Sequence, residues 1–264
     1  KMIEKKLRKE IQRVLGAFIF YTRIPFPSKW YSAEKINSSR YFSLVGCIIG
    51  LVSASVFVIP EIFVTNYHSV KSFETSPITV LLGMVVTAFL TGAIHEDGFA
   101  DSCDGVLGGW NKEERLKIMK DSRIGTYGSV GLVFLILLKF FALLQIETGI
   151  LPLVWIAGHA LSRFISISQV YLAEYVQNPV NSKSKSMIEL SVKDLIVNAV
   201  FGLLPLFFLG NMAWLVLIVN LLIGLVLLFY FKKRLGGVTG DSLGATQQIV
   251  EVSFYLSFGL NVII

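Results

Sequence analysis

Seven apolar runs divide the chain, at residues 41–64, 78–94, 130–146, 151–172, 196–209, 213–231 and 249–264. Several approach the twenty or so residues that cross roughly 30 Å of hydrocarbon. Residues are 54% hydrophobic and 16% charged, whereas an ordinary soluble domain is charged at about a quarter of its positions. The reading is an all-α, polytopic integral membrane helical bundle with about seven membrane segments. The run at 196–209 holds only fourteen residues and contains Pro205, so a short, tilted or re-entrant element is expected there.

A net charge of +6 raises the question of nucleic acid, and the placement of the charges answers it. With a cytoplasmic N-terminus and every run crossing, the inward segments 1–40, 95–129, 173–195 and 232–248 hold ten, five, three and three Lys or Arg, and only Lys71 faces outward. That split of 21 to one follows the positive-inside rule. The basic residues therefore set topology in a lipid bilayer, no nucleic-acid partner is expected, and the location implied is the cytoplasmic (inner) membrane. Residues 1–264 read as a single domain, with 1–40 an entry region and 95–129 a cytoplasmic acidic segment; a homo-oligomer stays open. KMIEKKLRKEIQRVLGAFIF has no small-residue cleavage site and is expected to be an amphipathic entry helix. In FYTRIPFP, Arg23 stands among aromatics and two prolines, the mark of a rigid, broken element. Cys47 and Cys103 are too few for a disulfide framework and read as small hydrophobes.

The run at 78–94 leads directly into HEDGFADSCDGVLGGW, residues 95–110. On a helix continuing inward from that run, Asp97, Asp101 and Asp104, spaced i, i+4, i+7, fall within an arc of about 60°. Three carboxylates on one face need a counter-ion, since each raises the pKa of the others. A hard divalent cation answers that need, and without a His/Cys pattern Mg²⁺ or Mn²⁺ is favoured over zinc. Asp121, in KIMKDSRIGTYG, is placed to bring a fourth carboxylate back to this face, whereas Glu96 points about 100° away from Asp97. The plainer alternative is a solvated acidic loop, but that would not need the glycines at 98, 105, 108 and 109.

A second polar group follows the run at 213–231, in FKKRLGGVTGDSLGATQQIVE. The basic triplet Lys232, Lys233 and Arg234 is what topology alone would give. Gly236, Gly237, Gly240 and Asp241 form a glycine-rich turn that opens a helix, a way of presenting backbone N–H groups to phosphate or diphosphate. Asp241 is suited to a metal or a hydroxyl. Arg163 lies within a run and has two readings, a phosphate contact or a pair with an acid. Glu251 is an intramembrane carboxylate, either functional or paired inside the bundle; Lys139 and His159 are left without a role. A metal-binding acidic face, inward-facing cations and glycine turns together point to phosphoryl-type chemistry at the membrane surface.

These motifs give the chain a resemblance to the cobalamin synthase family, the adenosylcobinamide-GDP ribazoletransferases. FYTRIPFP, TGAIHEDGFADSCDGV, IMKDSRIGTYG, the Ser162-Arg163 pair and GGVTGDSLGA carry it across nearly the whole chain. His95, Asp97, Asp101, Asp104, Asp121, Ser122 and Arg123 fall on fixed positions of the family pattern, and Glu96 on a variable one. The resemblance implies that adenosylcobinamide-GDP and α-ribazole, or its 5′-phosphate, give adenosylcobalamin, or its 5′-phosphate, and GMP, with Mg²⁺. On that basis Asp97, Asp101, Asp104 and Asp121 serve metal and catalysis. His95, Ser122, Arg123, Arg163, Gly236, Gly237, Gly240 and Asp241 serve substrate.

Three rivals are weaker. A CDP-alcohol phosphotransferase shares Asp101-x-x-Asp104-Gly105, but its A-R dipeptide is absent and Gly125 occupies its last aspartate position. A membrane prenyltransferase needs a second aspartate-rich motif, and Asp241 stands alone. A divalent-cation transporter, from a different class, would place its ligands near the bilayer midplane, often with internal symmetry.

Overall fold

The computed structural model describes residues 2–27, 39–68, 75–176 and 190–260. Lys1, Lys29, Lys35, Lys71, Lys183 and Lys185, all counted in the charge asymmetry, lie outside the described residues. Ten α-helices follow one another: α1 (Met2–Tyr21), α2 (Phe42–His68), α3 (Pro77–Thr91), α4 (Ile94–Gly108), α5 (Lys112–Ile118), α6 (Thr126–Leu144), α7 (Leu151–Leu172), α8 (Val192–Leu203), α9 (Met212–Leu235) and α10 (Gly240–Gly259). Among the described residues the only β-type pairing is an isolated bridge between Tyr175 and Val238, and the all-α, multi-pass reading holds. In a bilayer every backbone group must be satisfied within the protein, and helices achieve this segment by segment.

Among the described residues four helices, α2, α6, α7 and α9, are long and apolar enough to cross a membrane, and α3 with α4 makes a fifth if that bent pair counts as one crossing. Two runs take other forms. Residues 196–209 divide between α8, 12 residues long, and a 3-10 turn at Leu204–Phe208 that contains Pro205. The last run begins about halfway along α10, which starts at Gly240.

The expected continuous helix from residue 78 into the acids is not what forms. Gly92 and Ala93 both adopt left-handed backbone, with φ of 63° and 54°, and α4 leaves α3 at 86°. Gly92 ends α3 as a left-handed cap whose region donates N–H groups back to Ala88 and Phe89. Ala93 is strained there, at a cost of roughly 1–2 kcal/mol. The segment after α1 is docked at this corner: the Arg23 N–H donates to the Leu90 carbonyl at 2.7 Å, and the Arg23 side chain lies against Gly92.

Helices α7 and α10 form the interior. Trp155 and Leu161 of α7 pack with Phe254 and Tyr255 of α10, with Phe57 of α2 and Leu206 completing the cluster. By contrast α6 presents Val133, Phe134 and Phe141 outward, and α9 presents Leu222, Val226 and Phe229, as lipid-facing helices do. Polar residues are also buried in this interior. Glu251 accepts from Lys139 Nζ at 2.8 Å on one oxygen and from Gln247 Nε2 at 2.5 Å on the other, from which His159 Nδ1 stands 2.9 Å away. Arg163, fully buried, bonds the His159 carbonyl at 3.0 Å and stands 3.9 Å from Glu251. Such charges are tolerated only when they compensate one another. At the other end, Arg40 joins Glu10 (2.8 Å) to Asp194 (2.5 Å), tying α1 to α8.

Candidate active site

The bend sends α4 across the N-terminal end of α10. They cross where two residues lack side chains: a Cβ on Gly98 would stand 3.0 Å from the Asp241 backbone, and one on Gly244 3.2 Å from the His95 carbonyl. Any larger residue would push the helices apart, and this closeness sets Asp97 and Asp101 beside Asp241. The α10 N-terminus is ordered by a capping box in which Thr239 and Ser242 bond each other's backbone N–H. Gly236 caps α9 in left-handed backbone, and the Tyr175–Val238 bridge holds the turn between the helices.

Above this crossing lies a cavity of about 660 Å³, inside the range that takes drug-sized ligands. One wall carries Asp97, Gly240 and Asp241, with Glu113, Lys117 and Lys120 reaching in from α5 and the turn after it. The opposite wall is apolar, built from the end of α1, the start of α2 and the end of α7.

The electrostatics of the first wall are unbalanced. Among the described residues, Asp97, Asp101 and Asp241 have no hydrogen bond or ion pair to their carboxylates. Burial, then the charges of Asp241, Asp97 and Asp104, push the Asp101 carboxyl up to about 7. Burial and Asp97 raise Asp241 to about 6, partly offset by Lys120. The negative charge therefore awaits a positive partner, although no three His, Cys, Asp or Glu among the described residues stand close enough to hold one metal ion by themselves.

The family model described as CobS, cobalamin-5-phosphate synthase, matches residues 13–259. That span includes both cavity walls. The chain belongs to this family. It is 42% identical over 258 residues to a protein of Shewanella piezotolerans named adenosylcobinamide-GDP ribazoletransferase, covering 94% of this chain and 95% of that one. A Shewanella frigidimarina protein of the same name is 40% identical over 263 residues, with 96% of each chain covered. No solved structure matches.

The residues predicted for a cobalamin synthase site separate into two groups. His95, Asp97, Gly240 and Asp241 line the cavity, and Asp101 joins them through its charge. His95 is buried against Phe42, ring centroids 5.6 Å apart, and its Nε2 has no partner among the described residues. The others stand elsewhere. Asp104 is buried, and its two oxygens accept the N–H groups of Gly125 (2.7 Å) and Gly128 (2.8 Å), fixing the start of α6. Asp121 does not arrive as a fourth carboxylate on the α4 face; it forms a 2.7 Å ion pair with Arg123. The bonds from Arg123 pull its carboxyl down to about 2. Arg123 is 86% exposed and Ser122 is exposed too. Arg163 takes the second of its two readings, inside the buried Glu251 cluster. Gly236 meets the Lys112 side chain, and Gly237 the Glu174 carbonyl, away from the cavity.

Sequence reasoning missed the α5 contribution and the apolar wall. Glu113, Lys117 and Lys120 repeat the i, i+4, i+7 spacing of the aspartates, and that signal was available. Phe20 and Tyr21 open the FYTRIPFP element, which was given no site role, and nothing local distinguishes Phe42. Glu96 stays off the aspartate face, as its helical phase required, but accepts from Gln248 Nε2 at 3.0 Å and so helps to fasten α4 to α10.

Proposed function

We propose that the cavity transfers the cobinamide phosphate of adenosylcobinamide-GDP to α-ribazole or its 5′-phosphate, releasing GMP and giving adenosylcobalamin or its 5′-phosphate. The observation that carries this reading is the meeting of three unpaired carboxylates, Asp97, Asp101 and Asp241, with the open first turn of α10 and with Lys117 and Lys120 beside one cavity. The relatives' shared name supplies the substrates.

The donor set suits Mg²⁺ or Mn²⁺ in kind, being hard oxygen ligands in unrelieved mutual repulsion. Mg²⁺ characteristically takes one or two carboxylates together with substrate phosphates, which agrees with a site where, among the described residues, no three His, Cys, Asp or Glu stand within reach of one ion. One or two of Asp97, Asp101 and Asp241 would hold it. When bound, it supplies positive charge to the diphosphate.

The chain's own groups do the remaining work. Gly240 and Asp241, in the first turn of α10, line the cavity, and the N–H groups of that turn would donate to phosphate oxygens. Lys117 and Lys120 add charge at the same edge. The acceptor's ribose 3′-hydroxyl oxygen bonds to the phosphorus on the cobinamide side, and the bond from that phosphorus to the oxygen bridging to GMP breaks. GMP leaves with the bonding electrons, and the hydroxyl proton passes to a carboxylate oxygen of the aspartate group. Asp104 acts at a distance, holding α6 in place against α4.

The cavity is proposed to face the cytoplasm across the inner membrane, supported by the basic residues of α1 and α5. A cysteine in place of the exposed Ser122 is expected to react with a membrane-impermeant reagent in inverted vesicles and not in intact cells. The activity is tested with purified protein, adenosylcobinamide-GDP, α-ribazole and Mg²⁺. GMP and cobalamin are expected, and no GMP above a no-enzyme control sinks the reading. Asp101→Asn is expected to slow GMP release roughly 100-fold or more; near-normal release by this variant at low Mg²⁺ overturns the metal assignment.

A further inference from the structure

The apolar wall of the cavity has a chemistry of its own. Phe20, Tyr21, Phe42, Ile167, Tyr175 and Val176 form it. Tyr21 and Phe42 are stacked, ring centroids 4.1 Å apart at 29°, and Phe20 meets Tyr21 edge-on at 4.8 Å. Arg163 lies 5.6 Å from the centre of the Phe42 ring. Two hydroxyl groups nearby are committed, Tyr21 bonding Ser39 at 3.3 Å and the Ser166 hydroxyl donating to the Leu243 carbonyl at 2.7 Å, and that of Tyr175 lies toward Gly240, at the carboxylate wall. The wall offers ring faces and aliphatic groups, and little for a ligand to hydrogen-bond.

The two nucleoside portions in the proposed reaction differ in this respect. Guanine carries several donors and acceptors along its edge, and burying them against such a wall leaves them unpaired. The bicyclic base of ribazole, a benzimidazole, has a hydrocarbon edge. Sites discriminate strongly against groups whose polar atoms they cannot satisfy. Resting on the proposed function, we infer that the Phe20–Tyr21–Phe42–Tyr175 wall is the acceptor subsite, which takes a hydrogen-bond-poor bicyclic aromatic base, while the donor's diphosphate lies along the carboxylate wall. His95 marks the junction, with its ring on Phe42 and Asp97 two residues away. The acceptor ribose then falls between the walls, where its hydroxyl meets the phosphate.

The test compares Phe20→Leu and Tyr175→Leu, which remove rings and keep bulk at half-buried positions. Stacking of a base on an aromatic side chain predicts a rise of about tenfold or more in KM for α-ribazole, with KM for adenosylcobinamide-GDP within about twofold. Tyr175→Phe, which keeps the ring, recovers the affinity lost in Tyr175→Leu. A rise in the donor's KM instead, or no rise for either substrate, overturns the inference. Quenching of α-ribazole fluorescence on titration with the detergent-purified protein separates this outcome from failure of the proposed reaction. If the wild-type chain yields no GMP but quenches, and the Leu variants lose the quenching, the subsite stands without the reaction; no quenching by the wild type overturns the subsite. Melting in detergent confirms that both Leu variants fold, and Phe42→Leu repeats the comparison should either fail.

Discussion

Asp241 and Glu251 lie on the same helix, ten residues and about 15 Å apart, and have opposite surroundings. Glu251 is enclosed by Lys139, His159, Gln247 and Arg163. Asp241 faces a cavity with two more acids and has only Lys120 near enough to moderate its charge. A charge deep in the bundle persists only with protein partners. One at the cavity mouth can persist without them, because water or a ligand reaches it. The first arrangement serves the fold, and the second is left open for what binds.

The largest effect that can break this comparison comes from Glu251→Gln. It leaves Lys139 and Arg163 buried without their acid, and a loss of about 3–5 kcal/mol is expected, measured as folded yield and melting temperature in detergent. Asp241→Asn is expected to do the reverse. Melting holds or rises, since one of three repelling acids is gone, while turnover falls by roughly 100-fold. If Asp241→Asn unfolds the protein and leaves the surviving fraction fully active, the two sites are not distinct in kind.

Asp104→Ala sharpens the boundary between them. It removes the acceptor of two backbone N–H groups at the start of α6, and the expected cost is about 1–3 kcal/mol, visible as faster hydrogen exchange over residues 125–129. Asp101→Asn, only three residues away, should leave that exchange unchanged.

The smallest effect concerns the Glu10–Arg40–Asp194 link. Burial alone would raise both carboxyls, but for Asp194 the bonds from Ser191 and Arg40, and for Glu10 those from Tyr41 and Arg40, outweigh it and hold them below their ordinary values. An acid with a depressed folded-state pKa contributes stability above its unfolded value, near 4. That contribution is lost as pH falls through the folded value. Arg40→Met should therefore cost up to about 1 kcal/mol at pH 7, with the difference from wild type shrinking below about pH 4. A difference that stays constant down to pH 3 shows that Arg40 acts through packing.

Much of this division was legible in the sequence, for reasons that are local. The phase of Asp97, Asp101 and Asp104 follows from helical geometry, and all three do lie on α4. Pro205 in a short run announced the break after α8. What stayed hidden depends on contacts between distant segments. Nothing in its side chain marks Ala93 for left-handed backbone; the corner is held partly by Arg23, some seventy residues earlier. Asp104 shares the spacing of a ligand, and only the arrival of Gly125 and Gly128 shows that both its oxygens are taken. Asp241 looked solitary because its neighbours, Asp97 and Asp101, come from a helix more than 130 positions away. Arg163 and Glu251 each admitted two readings, and the structure chooses the pair because α7 and α10 are adjacent.

The corner at Gly92 and Ala93 also decides how deep the acids sit. Had α3 continued straight, Asp97, Asp101 and Asp104 would be spread over about 10 Å along its axis, and their cost of ionisation would vary from one to the next with distance from the hydrocarbon. Turned through 86° from α3, α4 instead carries these residues sideways from the α3 axis. Its carboxylates then differ little in position along that axis, and a ligand approaching along it meets them together instead of one after another.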